Sequence, residues 1–297
     1  FLLKPFTYAV QFISPKGPEI EVISRQIANA HTMFNVMMTL IWIPFIGVMV
    51  KIVMTLIPEG KKTNIPDSLP MYLDSRLVSQ PTAALQLVTK EFGRVIKLLK
   101  ENLNAWIVCM QNNDVNGIQK IINKSEDMNQ LCKHINAYFA ELFASGNLTE
   151  EQANLTAGIM YVFDDITRMN ELIKNMCTSI TYQKETNKEF TGEAFQNITE
   201  GLEVIEKMYT CVTDALLHQN DTDISSLYTQ KEEVLDLGIK MRKAHVKRVK
   251  NGQCDPRKTE VFNGLIHNVD RMGNCCVNIA DAIREAAGAS LLPNIEE

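Results

Sequence analysis

Apolar and polar residues are arranged along this chain in two different ways. From Met33 to Val50 the run MFNVMMTLIWIPFIGVMV contains no charged residue, and past Lys51 it continues as IVMTLIP to Pro58. A membrane-spanning helix needs about 20 mostly apolar residues, so the run predicts one over about 33–57. A buried core helix of a large soluble protein would leave a similar run. Trp42, Pro44 and Gly47 within it are tolerated where neighbouring helices satisfy the freed backbone groups. Lys61, Lys62 and Arg76 follow the run while Lys4, Lys16 and Arg25 precede it, so the basic flanks orient it only weakly. The polar, proline-bearing stretch PEGKKTNIPDSLP from Pro58 to Pro70 reads as a linker, and 59–80 is assigned to it.

Beyond Pro81 glycine and proline become rare and apolar residues recur at three- and four-residue spacing, the mark of amphipathic helices. One stripe runs through Leu85, Val88, Phe92, Val95, Leu99, Leu103, Trp106 and Met110. A second runs through Ile118, Ile121, Met128, Leu131, Ile135, Phe139 and Leu142, and a third through Ile159, Val162, Ile166, Met169, Ile173 and Ile180. The third has a start signal in Thr149-Glu150-Glu151-Gln152, whose Thr oxygen and Gln amide can satisfy each other's exposed backbone N–H groups. Three more helices are expected over about Lys188 to Leu217, Asp223 to Val249, and from Asp255-Pro256 onward, with Asp as cap and Pro at the first helical position. The segments DDITRMNELIKNMCTSI from Asp164 and HNVDRMGNCCVNIADAI from His267 both carry Arg-Met followed by a small polar pair. They suggest a duplication with repeats of about 81–187 and 188–290, although biased helical sequence can produce such likeness by coincidence. The expected fold is all-α: an N-terminal transmembrane helix segment, then six helices in two antiparallel three-helix bundles, since short turns make consecutive helices neighbours.

Composition refines this picture. The formal net charge of -5 over 297 residues leaves no broad basic field, which excludes a nucleic-acid partner. The seven cysteines are scattered, odd in number and without a CxxC pair, against both a disulfide framework and a zinc knuckle, so a reducing cytoplasmic environment is expected. The chain opens on Phe1 with residues like the interior of a protein and shows no signal-peptide layout, so it reads as starting within a longer sequence. The 14 methionines read as adaptable core fillers. No nucleophile–base–acid set, phosphate-cradling glycine loop or zinc signature is evident, and no enzyme activity is expected.

The stretch VDRMGNCCVNIADAI, Val269 to Ile283, resembles the helix pattern of the PhoU family, with Arg271, Gly273, Asn278, Ile279 and Ala280 at matching places. MRKAHVKRVKNGQC resembles the fifth-helix ending of that domain when it is attached to a transporter. Upstream, SRQIANAHTMFNVMMTLIWIPF from Ser24 to Phe45 resembles the last membrane segment of bacterial sodium-dependent phosphate cotransporters, particularly in its Ala-His-x-x-Phe-Asn core, and LDSRLVSQPTAAL resembles the linker that follows. The resemblance implies that 1–58 is the last part of a membrane domain, that 81–290 is a PhoU-like domain on the cytoplasmic side, and that the protein resides in the plasma (inner) membrane. It implies sodium-dependent phosphate transport regulated by the PhoU-like domain. The family's Gln-Ser-Ser motifs are not in this sequence, so the phosphate and sodium sites are expected elsewhere. A membrane-anchored signalling adaptor without transport is the alternative, and a homo-oligomer is compatible with either.

PhoU-like domains hold divalent or iron-type metal ions through acids four residues apart, a spacing that puts both carboxylates on one helical face. Here Glu232 and Asp236 have that spacing, Asp270 is followed by Asn274, and Thr167 stands where an acid is expected before Glu171. Glu232, Asp236 and Asp270 are the metal candidates, with solvated or inter-helix pairing acids as the alternative. His31 and Asn35, one turn apart at the entry of the apolar run, are candidates for a polar pathway or for pairing across helices. His245 and His267 lack a second ligand at metal spacing and are expected to be cap or surface residues.

Overall fold

The computed structural model describes residues 3–17, 19–56, 65–112, 114–185, 191–218 and 224–285. They form two compact units, 1–64 and 65–297.

In the first unit α1 (Leu3–Ile13) packs along α2 (Glu19–Trp42), and a short 3-10 turn at Ile43–Phe45 leads into α3 (Ile46–Leu56). Ser14 joins the two helices, donating to the Val10 carbonyl at 2.7 Å and accepting from Asn29 Nδ2 at 3.0 Å. The apolar stretch over Val22–Val53 has a mean hydropathy of 2.2, and none of that window is buried. It therefore starts well before Met33, because helix geometry continues through the more polar turns from Glu19. It is also interrupted: Pro44 lacks an N–H and its ring crowds the preceding turn, so the backbone tightens into the 3-10 turn. Ile57 and Pro58, where this run was expected to end, and 59–64 of the linker lie outside the described residues.

In the second unit six long helices follow in order: α4 (Pro81–Asn112), α5 (Val115–Ala144), α6 (Glu150–Glu185), α7 (Gly192–His218), α8 (Ser226–Lys250) and α9 (Thr259–Glu285). The expected start at Lys188 and the expected cap at Asp223 lie outside the described residues. Pro81 opens α4, where a missing N–H costs nothing. Asp114 caps α5 by accepting from Gly117 N at 3.1 Å. The reciprocal cap of α6 forms: Gln152 N donates to Thr149 Oγ1 at 3.2 Å and Thr149 N to Gln152 Oε1 at 3.1 Å. Asp255 and Pro256 open a 3-10 turn, Pro256–Lys258, that feeds α9 rather than opening α9 itself. The apolar stripes read from the sequence are buried from Leu85 to Met110, Ile118 to Leu142 and Ile159 to Ile180.

Helices α4, α5 and α6 pack on one another, as do α7, α8 and α9, and the two bundles join through α4 against α7 and α6 against α9. Two polar contacts cross this seam: Tyr209 Oη donates to the Ile96 carbonyl at 3.1 Å, and Asn278 Nδ2 to Asp165 Oδ1 at 3.2 Å. Both α5 and α8 run out into a turn at a glycine in the left-handed region, Gly146 at φ +66° and Gly252 at φ +69°. The two bundles differ in what fills their interiors. In the first bundle Asn170 Nδ2 donates to the Ser125 carbonyl and to Asn129 Oδ1, both at 2.9 Å, and Asn102 Nδ2 donates to Ser125 Oγ at 2.7 Å. In the second, Gly273 takes the place of Asn170, and a Cβ there would stand 3.2 Å from Cδ of Lys231. The missing side chain makes room for the lysine stem.

Residues 65–80, read from the sequence as part of a linker, are fastened to α4. The buried carboxylate of Glu91 accepts from the backbone N–H groups of Met71 and Tyr72, both at 2.7 Å, and from Arg94 Nη1 at 2.9 Å. Arg94 also donates to the Leu69 carbonyl at 2.8 Å, and Tyr138 Oη to the Asp74 carbonyl at 3.2 Å. Removing the carboxylate strands two backbone donors and a guanidinium, a loss of about 3 kcal/mol. Glu91→Ala is therefore expected to lower the unfolding midpoint by roughly 6–12 °C in calorimetry, and a shift below 2 °C would show that the clamp is loose.

Candidate functional site

The end of the second bundle where α7 starts and α8 finishes holds the most unusual chemistry. Its polar side chains sit on the buried stripe of α8: Leu227, Val234, Met241, His245 and Arg248 all face inward. At the corresponding end of the first bundle three aromatic rings meet, with Phe163 packed edge-on against Phe92 and Phe139 at 5.6 and 6.1 Å between ring centres. In the second, the His245 ring stacks on Phe262 at 4.7 Å and the Arg248 guanidinium lies over the same ring at 5.6 Å.

Arg248 is 3% exposed. Its Nη1 lies 3.0 Å from Glu193 Oε1 in the first turn of α7, while its nitrogens complete no hydrogen bond of good geometry among the described residues. Glu193 and the face of Phe262 therefore offset the cost of burying this charge. His245 Nε2 lies 3.0 Å from Thr259 Oγ1, and Nδ1 lies 3.9 Å from Cys254 Sγ. The expectation that His245 caps or lies at the surface is corrected, because the histidine is buried. His267 is exposed, as expected. The signal that could have found His245 and Arg248 was in the sequence: both continue the buried periodicity of α8 from Met241. Beside this end, an open groove of about 580 Å³ runs between α4 and α7, lined by Met110, Gln111, Phe195, Gln196 and Thr199, with Gln111 Nε2 donating to Glu203 Oε1 at 2.9 Å.

The metal candidates are placed as follows. Glu232 and Asp236 are exposed on α8. Asp270 on α9 is ion-paired with Lys231, whose Nζ also donates to the Asp270 carbonyl at 2.9 Å. Among the described residues no three His, Cys, Asp or Glu side chains converge as metal ligands would. In the first repeat Thr167 is packed beside Cys132, whose thiol burial pushes up to about 11. In the first unit Asn35 Nδ2 and His31 Nδ1 are 3.2 Å apart, both exposed.

A family model for the PhoU domain matches residues 92–180, from the fourth turn of α4 through α5 into the last turns of α6. No curated protein and no solved structure matches the chain. The match thus covers the first bundle, and the comparisons bring out a PhoU domain without a cotransporter family.

Burial, and next the charge of Arg248, hold the His245 imidazole below its ordinary value of 6.5. A depressed histidine is neutral in the folded chain while the unfolded chain takes up a proton, so stability is complete above 6.5 and falls as pH drops below it. His245→Phe, which copies Phe139 of the first repeat, is expected to flatten the decline of the unfolding midpoint between pH 7 and 5. An unchanged pH profile would place that decline on other groups.

Proposed function

We propose that this chain belongs to a sodium-dependent phosphate transport system of the plasma membrane, in which the apolar segment is a membrane span and the six-helix unit regulates flux from the cytoplasmic side. Phosphate and sodium are bound by membrane segments other than the one described here. The observation that carries this reading is the apolar helical stretch Val22–Val53, unburied throughout its most apolar window, in the same chain as a PhoU-domain match. Such a surface suits lipid, and its hydroxyls are prepared for it: Thr32, Thr39 and Thr55 donate to the carbonyls of Ala28, Asn35 and Lys51, at 3.0, 2.8 and 2.7 Å. His31 and Asn35 are the polar pair of this span, suited to face another helix or a water-filled path. A second reading, a membrane-anchored PhoU-like adaptor of phosphate homeostasis without transport, is favoured by the absence of a cotransporter family from the comparisons.

Uptake of radiolabelled phosphate by cells making the protein is expected to require a sodium gradient and to change when the bundle core is broken by Phe92→Asp. Uptake equal in cells with and without the protein would remove transport and leave the adaptor. Topology is read by an impermeant maleimide on Tyr161→Cys, an exposed position on α6. Labelling only after the cells are permeabilised is expected, and labelling of intact cells would overturn the cytoplasmic placement.

A further inference from the structure

The outward face of α8 is patterned along its whole length. Leu235, Ile239 and Val246 are 46%, 48% and 62% exposed and form an apolar row, since steps of four and seven residues return to the same side of a helix, with the exposed Arg242, seven residues on from Leu235, at its margin. On one flank of that row, at the same steps, stand Glu232 and Asp236 in the first half of the helix and Lys243 and Lys247 in the second, all exposed. None of these four makes an ion pair among the described residues, and α8 packs mainly on α7 and α9. The helix dipole favours acids early and lysines late, but it places no demand on an exposed apolar row beside them.

We propose that this face is a homodimer interface in which two copies of α8 lie antiparallel about a twofold axis passing close to Ile239 and Lys240. The pattern is self-complementary under that operation, as an isologous contact requires. Glu232 then faces the partner's Lys247 and Asp236 faces the partner's Lys243, with the same midpoint along the helix. Leu235 faces the partner's Val246 with a midpoint one residue away, an offset of about 1.5 Å. Ile239 meets the partner's Ile239 near the axis. A twofold perpendicular to the helix axes also keeps both charged rows on the same side of the apolar seam, so they meet each other. In a parallel pair the twofold would run along the helices and carry the two charged rows to opposite sides of the seam, where they would not meet. An anionic lipid surface would suit the lysines and the apolar row, but Glu232 and Asp236 on the same flank would be repelled by it, so a second copy of this chain is the better occupant.

The test uses the full chain in detergent or nanodiscs. Under mild oxidation Ile239→Cys is expected to give a disulfide-linked dimer, whereas the unsubstituted chain and Tyr161→Cys on α6 give none. In sedimentation, Glu232→Lys/Asp236→Lys and Lys243→Glu/Lys247→Glu are each expected to weaken dimerisation about tenfold, because like charges then face each other. The fourfold variant carrying all these changes is expected to restore it. That rescue separates an interface from mere loss of folding, since a misfolded chain is not mended by a second pair of surface charges. A chain monomeric at every concentration, a dimer indifferent to both charge reversals, or a fourfold variant no tighter than either double variant would overturn the proposal. So would binding to anionic vesicles that rises with Glu232→Lys/Asp236→Lys while the chain stays monomeric, which would assign the face to lipid.

Discussion

The six-helix unit depends on one constraint: each helix has a single apolar face, and only mutual burial can satisfy all six. Side by side within a bundle, three helices hide part of those faces. The rest is hidden where α4 meets α7 and α6 meets α9, and the most completely enclosed side chains of α6 and α9, including Met169, Ile173, Met176, Met272, Cys276 and Ile279, belong to this level of the unit. Polar groups admitted there are few and paired. Burial holds the Asp165 carboxyl above its ordinary range, against the hydrogen bond from Asn278 that pulls it back down. Two three-helix bundles laid against each other follow from this, since each leaves a face that the other covers.

The two bundles share an architecture but not an interior. In the first bundle a small serine and an amide fill the space between α5 and α6; in the second a long lysine stem passes an absent side chain at Gly273 and ends on Asp270. Similarly, three phenylalanines at one end of the first bundle contrast with an imidazole, a guanidinium and one ring at the end of the second. The divergence places a buried imidazole and guanidinium in the second bundle, while the PhoU-domain match falls on the first.

Much of this was legible in the sequence and some was not, for physical reasons. The helices from Pro81 onward could be read because burial of one face imposes its period on the residues, and the Thr149–Gln152 cap because its two hydrogen bonds are local. The attachment of 65–80 to α4 was hidden, since a proline-rich polar stretch says nothing of a carboxylate about twenty positions away. His245 was misplaced because its residue type outweighed its position, although periodicity put it inside. The continuity of the apolar helix from Glu19 was missed because hydropathy marks where lipid-like surface begins, not where helical backbone does.

The Glu91 clamp changes how α4 is connected to the chain that precedes it. A segment attached only through Pro81 would pass tension to the frayed first turn of a helix, which peels open at small force. Here the load path entering at Ile65 meets Arg94 and Glu91 first, side chains three turns into α4 and rooted in the core, with Tyr138 of α5 sharing the strain further on. A pull on the preceding chain is thereby delivered as a shear onto side chains within α4 and α5, and the short stretch between Asp74 and Pro81 remains slack.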